Sequence, residues 1–369
     1  MKNFFIVLLI FFSIFTNPPL IYSQDIEWPT FHQNAARNGI RGDYPRPPLK
    51  LIWKFKAGKE ICSTPAVWKN MVFFGTNDSH LYCIDALNGR LKWKFKTGSW
   101  IQSSPAIAQN KILFGSLDKH LYCLDAETGK LAWKFKSRDK IYSPPTIDGD
   151  SVYFGSYDYY VYSVGISNGK LNWEFKTQGK IWVCSPLVIE DQIFIGSMDY
   201  YLYALDKKTG GLNWAYRAGN SVEASPGYSG NKIVVPSWDS FVYAFNPKNG
   251  EIIWKTKLKD KICSPASITE NKVFVGSWDK NLYALNLETG EILWEFLARD
   301  RILTCAVATR EFVYFGSMDD SIYILKASTG EKVWEFKTGG DIGGSPVIAD
   351  NILYCGSSDG FLYAFTEDK

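Results

Sequence analysis

From residue 49 onward the chain alternates short apolar runs with clusters of turn residues. Residues 104–135, SPAIAQNKILFGSLDKHLYCLDAETGKLAWKF, show the pattern: PAIA, KILFGS, HLYCLD and KLAWKF are separated by Gln-Asn, Leu-Asp-Lys and Glu-Thr-Gly. None of these runs has the length or the spacing of apolar positions that an amphipathic helix needs, and their content of β-branched and aromatic residues predicts strands. In the last run of each unit, as in KWKFK and AWKFK, lysine alternates with tryptophan and phenylalanine. Such a strand packs one face and presents lysine along a guarded outer edge.

The pattern repeats. Trp53, Trp93, Trp133, Trp173, Trp214, Trp254, Trp294 and Trp334 are spaced 40 residues apart, with a single interval of 41. A turn of the form Gly-Ser-x-Asp recurs in the same phase, as GTND in the first unit and PSWD in the fifth, and carries Asp78, Asp118, Asp158, Asp199, Asp239, Asp279, Asp319 and Asp359. A proline enters most units at 65, 105, 145, 186, 226, 265 and 346, with Ala306 in its place in the seventh. Four strands in about 40 residues are the signature of a propeller blade. With the strands of a blade labelled A to D from the axis outward, there are eight B-to-C turns and eight tryptophan-bearing D strands. The first D strand, residues 49–56, precedes every A strand, and the last unit stops after C. The prediction is an all-β, eight-bladed propeller of four-stranded antiparallel blades over 49–369, in which residues 49–56 complete the last blade and close the ring.

The repeated residues have structural explanations. Glycine after Asn or Thr allows positive φ in the C-to-D hairpin. The aspartate can accept backbone amides of its own turn. The tryptophan can bury its ring between blades while its N–H finds a carbonyl.

The segment before the propeller reads differently. Lys2 followed by the apolar stretch Phe4 to Phe15, with Ser23 ahead of a cleavage point, has the form of a secretory signal over 1–23. The apolar run is short for a membrane span, which takes roughly 20 residues, and Pro18-Pro19 interrupts it. Residues 24–48 form an N-terminal arm. The expectation is an exported chain, periplasmic or extracellular, with no transmembrane segment in its mature form and no lipoprotein cysteine, since the first cysteine is Cys62. The net charge of +3 gives no reason to expect nucleic acid. The seven cysteines include no CxxC pair and no adjacent pair. They read as small buried thiols in strands, and three histidines without ligand spacing to cysteine make zinc an unlikely resident.

The motifs GSMDYYLYALDKKTGGLNW and GSWDKNLYALNLETGEILW resemble the pyrroloquinoline-quinone (PQQ) repeat family of β-propellers, and the resemblance covers residues 49–369. The arm EWPTFHQNAARNG resembles the segment that precedes such propellers in exported bacterial proteins. The resemblance implies one of two functional branches. Quinoprotein dehydrogenases hold PQQ and Ca²⁺ over the funnel, and carry adjacent cysteines and long insertions. BamB-like scaffold proteins of the outer-membrane assembly machinery have eight blades and no cofactor. The present chain has no Cys-Cys, and no insertion between its units exceeds one residue, so no catalytic residue and no cofactor are expected. PQQ and Ca²⁺ belong only to the alternative of a quinoprotein oxidoreductase.

The D-to-A loops and B-to-C turns share one face of a propeller. There the sequence places Trp100, Arg138, Lys140, Tyr157, Trp182, Trp238, Lys261, Trp278 and Arg301, with aromatic residues beside basic ones. Exposed aromatics and arginine are common interface anchors. The functional expectation is a non-catalytic binding or scaffold protein of the cell envelope that captures a protein partner or extended peptide on this face. A secreted receptor for a glycan or another small ligand is the remaining alternative.

Overall fold

The structure, a computed structural model, describes residues 43–368. The signal segment and the arm up to residue 42 lie outside the described residues. Among the described residues there are 32 strands and no helix, arranged as eight four-stranded sheets. Strand β1 (Leu49–Lys56) comes first. Blade one then follows as β2 (Ala66–Trp68), β3 (Met71–Gly75), β4 (His80–Asp85) and β5 (Leu91–Lys96). Strands β6–β9 (106–136), β10–β13 (146–176), β14–β17 (187–217), β18–β21 (227–257), β22–β25 (267–297) and β26–β29 (307–337) form blades two to seven. In blade eight, β30 (Val347–Ala349), β31 (Ile352–Gly356) and β32 (Phe361–Glu367) are joined by β1, which pairs antiparallel with β32 from Leu49↔Glu367 to Lys56↔Phe361. The ring is therefore closed between the two ends of the propeller, as the unpartnered first tryptophan strand requires. The A strands of successive blades lie against one another, β2 by β6 and β18 by β22 for example. They surround the axis and leave the D strands at the rim.

Neighbouring blades are joined at three radii. Near the rim, a tryptophan from each D strand reaches the next blade. Trp53 donates its indole N–H to the Ala86 carbonyl at 3.0 Å, and Trp334 donates to Leu49 across the ring closure at 3.2 Å. Trp93 alone of the eight has no acceptor among the described residues. The C-to-D hairpin glycine of the next blade sits on that ring. At Gly129, with φ +69°, an added Cβ would stand 2.7 Å from the Trp93 ring. Both the backbone conformation and the indole therefore require glycine.

At mid-radius the aspartate of each B-to-C turn accepts two kinds of donor, and in most blades a third. One oxygen takes the amide two residues on, as with Tyr160 N–H to Asp158 at 3.0 Å. The other takes the hydroxyl of the tyrosine four residues on, Tyr162 to Asp158 at 2.8 Å. In six blades that same oxygen also takes an amide from the end of the preceding D strand, such as Arg138 N–H to Asp158 at 2.8 Å. The turn thus clamps two blades together.

Close to the axis a belt of hydroxyls links the starts of the A strands. Thr64 N–H donates to Ser104 Oγ at 2.9 Å, and Ser345 N–H closes the belt on Thr64 Oγ1 at 3.1 Å. Between these layers the core is apolar and continuous from blade to blade. At its first interface Phe74 stacks on Tyr82 and Phe55 meets both edge-on, with centroids 5.5–6.0 Å apart.

Two expectations need correction. Pro265 does not enter its A strand as the other prolines do: Ala266 directly precedes β22, and Pro265 stands one residue earlier, level with Pro144. The cysteines do not all lie in strands. Cys83, Cys123 and Cys355 do, whereas Cys62, Cys184, Cys263 and Cys305 lie in D-to-A loops. Cys184 stands where blades one, two, three and six have serine. Its sulfur accepts the Gly196 N–H at 3.2 Å, as the Ser63 hydroxyl accepts the Gly75 N–H at 2.8 Å. Nor are all seven cysteines buried: Cys62 and Cys263 are half-buried. Residues 43–48 seat on blade seven, where Pro45 accepts the Tyr314 hydroxyl at 2.7 Å and Tyr44 packs edge-on to Phe312.

Candidate functional site

Each D-to-A loop descends toward the axis through one fully buried aliphatic residue: Ile61, Ile101, Ile141, Ile181, Val222, Ile262, Ile302 and Ile342. These residues pack under the neighbouring B-to-C turn and anchor the loop. The residue after each one faces the axis. Blades one to four contribute Cys62, Gln102, Tyr142 and Trp182, and blades five to eight Glu223, Cys263, Leu303 and Gly343. All eight line a single cavity of about 360 Å³. Trp238 and Trp278, from the B-to-C turns of blades five and six, complete its wall. The walls are predominantly apolar, the usual character of a small-ligand pocket.

The aromatic side is concentrated in blades three to six. The rings of Trp238 and Trp278 lie 5.9 Å apart, and Tyr142 packs at a tilt against Tyr157 at 4.7 Å with Trp182 edge-on at 6.5 Å. Cations rest on these rings. Lys261 Nζ is 5.1 Å from the Trp238 centroid and 5.3 Å from that of Trp278, the Arg301 guanidinium is 4.9 Å from Trp278, and Lys180 Nζ is 4.9 Å from Tyr157. Such contacts are favourable because the ring face carries the negative part of the quadrupole.

Glu223 lines the same cavity. It is 2% exposed, and neither carboxyl oxygen has a hydrogen bond of good geometry; the Ser221 hydroxyl lies near enough to favour the charged form only weakly. Burial pushes its pKa up from 4.5 to about 7, against a smaller opposing pull from Ser221 and Lys261. The Trp238 indole N–H is likewise buried without an acceptor, while that of Trp278 donates to Cys263 Sγ at 3.1 Å. Burial raises the Cys263 thiol to about 11 and raises Cys62 as well. Both are neutral thiols near neutral pH and therefore poor nucleophiles.

Of the nine surface residues singled out from the sequence, Trp182, Trp238 and Trp278 line the cavity. Lys261 and Arg301 sit on its aromatic wall, and Tyr157 backs Tyr142. The other three are elsewhere. Arg138 pairs with Glu174 at 2.8 Å and covers Tyr160 at 4.2 Å on the outer part of the face. Trp100 is 45% exposed. The exposed Lys140 contributes its carbonyl, which accepts the Tyr157 N–H at 2.9 Å. Sequence reasoning missed Glu223, Tyr142 and every other member of the axial ring except Trp182. The signal was present: the position after the repeated Ile or Val is the one place in the loop where the units disagree most, and only one unit puts a carboxylate there.

The PQQ and Ca²⁺ of related folds can be tested against these residues. The indole faces and basic groups would suit a planar acid. The metal does not fit. Ca²⁺ takes about six to eight oxygen ligands, the axial ring offers the single carboxylate of Glu223, and no group of three or more His, Cys, Asp or Glu that could hold a metal ion occurs among the described residues.

The solved structures most relevant to this geometry share its fold. BamB from Moraxella catarrhalis superposes with a TM-score of 0.74 at 20% identity, covering 86% of this chain and 99% of that one. The quinohemoprotein alcohol dehydrogenase from Comamonas testosteroni gives 0.80 at 15% identity, covering 93% and 81%. The computationally designed Ika8 protein gives 0.76 at 18% identity, covering 84% and 97%. At these identities the likeness is one of fold. No curated protein matches the sequence. The family described as "Outer membrane protein assembly factor BamB" matches residues 49–114, 95–216, 183–251, 198–311 and 300–369. Those segments span the propeller from β1 to its last strand, and the chain belongs to that family.

Proposed function

We propose that this protein is an exported, non-catalytic binding propeller of the cell envelope. It captures a segment of a protein partner on the face formed by the D-to-A loops and B-to-C turns. One observation carries the reading: the axial cavity is built from one residue of every blade and walled by Trp182, Trp238 and Trp278, in a chain whose units carry no insertion of more than one residue. The binding surface is thus the repeat itself. The family description supports a partner within the outer-membrane protein assembly machinery. No helix among the described residues is long and apolar enough to cross a membrane.

The double replacement Trp238→Ala with Trp278→Ala tests the reading. Both residues are only partly buried, so the circular dichroism spectrum and the cooperative melt should be retained. Capture of assembly-machinery subunits by the full chain should fall at least tenfold, as for loss of two aromatic anchors at an interface centre (roughly 1.4 kcal/mol or more). Undiminished capture would remove this face from consideration. In the same assay, saturable Ca²⁺-dependent quenching of tryptophan fluorescence by PQQ would move the protein to the quinoprotein branch instead.

A further inference from the structure

Seven blades place Cys, Gln, Tyr, Trp, Leu or Gly at the axial ring position, and the fold accommodates all of them. Blade five alone places a carboxylate there. Nothing in the fold satisfies it fully: both oxygens are buried without a hydrogen bond of good geometry, and the nearby Ser221 hydroxyl exerts only a pull smaller than the cost of burial. An unpaired buried carboxylate is strongly unfavourable, so Glu223 weakens the free protein without contributing to the blade that carries it. A group that enters the cavity and pairs with it would remove that cost.

The surroundings define the group. The rings of Trp238 and Trp278 already attract Lys261 and Arg301, with cation-to-centroid distances of 4.9–5.3 Å. Cation attraction by aromatic faces beside a buried carboxylate is the chemistry that recognises organic ammonium and guanidinium groups. The orphan N–H of Trp238 calls in addition for an acceptor on the same ligand. The backbone carbonyl beside a lysine or arginine side chain supplies one.

We propose that the axial cavity is a receptor site for an organic cation, an alkylammonium or guanidinium group that pairs with Glu223 beside the faces of Trp238 and Trp278. The inference deepens the binding reading and rests on it in one respect: the cation is presented as a lysine or arginine side chain of the captured segment. Lys261, whose ammonium attracts Glu223 without hydrogen-bonding to it, is the internal competitor for the same faces.

The test titrates the purified full chain at about pH 8, above the range in which Glu223 titrates. Nα-acetyl-lysine methylamide and Nα-acetyl-arginine methylamide are compared with their neutral counterparts, the norleucine and citrulline derivatives, and with n-butylammonium as a free amine. Indole fluorescence and calorimetry supply the readouts. The cationic derivatives should bind about tenfold or more tightly than the neutral ones, and Glu223→Gln should lose a similar factor, the usual effect of one buried charge-assisted pair. Lys261→Ala should tighten binding. n-Butylammonium, which lacks the carbonyl, should bind more weakly than the lysine derivative; equal affinity would assign the site to free amines rather than to a peptide.

The proposal fails if the neutral derivatives bind as well, if Glu223→Gln retains full affinity, or if no cation binds up to about 10 mM. Sugar binding that survives Glu223→Gln would overturn it as well. Failure here is separable from failure of the broader reading. Partner capture sensitive to Trp238 and Trp278 without cation binding would leave the scaffold reading intact. Cation binding sensitive to Glu223 without partner capture would do the reverse.

Discussion

Glu223 shows how one residue can set the pH response of a whole propeller. In the fold its carboxyl keeps its proton up to about 7, whereas its ordinary value is 4.5. Between those limits the folded state binds more protons than the unfolded one, so stability falls as pH rises through the window. The groups that sense the carboxyl electrostatically are Tyr157, Cys263 and Lys261. Tyr157, raised by burial to about 12, and Cys263, raised to about 11, stay protonated throughout. Glu223→Gln removes the titration. The variant should match the wild type near pH 4 and exceed it by on the order of 3 kcal/mol near pH 8. Paired thermal melts at the two pH values check this, and a wild-type-to-variant gap that does not widen with pH would contradict it.

At the scale of the element, the B-to-C turn does more than reverse the chain. Asp158 accepts the Tyr160 amide, the Tyr162 hydroxyl and the Arg138 amide of the preceding blade, all at 2.8–3.0 Å. Asp158→Ala leaves these donors without their acceptor, at a cost of about 2–4 kcal/mol given the strength of hydrogen bonds to charged groups. Asp158→Asn keeps one carbonyl acceptor and should lose less. Urea unfolding of both variants distinguishes a clamp from an ordinary turn, since a turn residue alone would leave the alanine variant within a few tenths of a kcal/mol of the wild type. In the sequence the tyrosine four residues on looks like any other strand residue. Its role depends on a hydroxyl reaching back to an aspartate that also holds a neighbouring blade, a relation that crosses a blade interface.

For the whole molecule the decisive feature is closure. Strand β1 pairs along its length with β32, and Trp334 of blade seven donates to its Leu49 carbonyl. A chain starting at residue 57 would leave β32 as an unpaired edge, which invites association with other chains. We expect it to elute as oligomers in size-exclusion chromatography and to melt at lower temperature and less cooperatively than the full chain. A monomeric truncation with an unchanged melt would show that the ring does not depend on this strand. The same closure creates the site, because eight loops converge on one axis only when the ring is complete.

The period of 40 residues, the phased tryptophans and the orphan first strand determined the fold, the number of blades and the way the ring closes. They could do so because a propeller's contacts are local or between neighbours, and the repeat writes each of them eight times. The aromatic and basic character of one face was legible for the same reason. Only the tertiary structure decided which of those residues meet. Trp182, Trp238 and Trp278 converge on the axis, while Arg138 turns outward to Glu174. It also singled out Glu223, one acidic residue among many along the chain. What distinguishes it is burial without a hydrogen bond of good geometry, and burial at the axis belongs to the eight loops together and to no one of them.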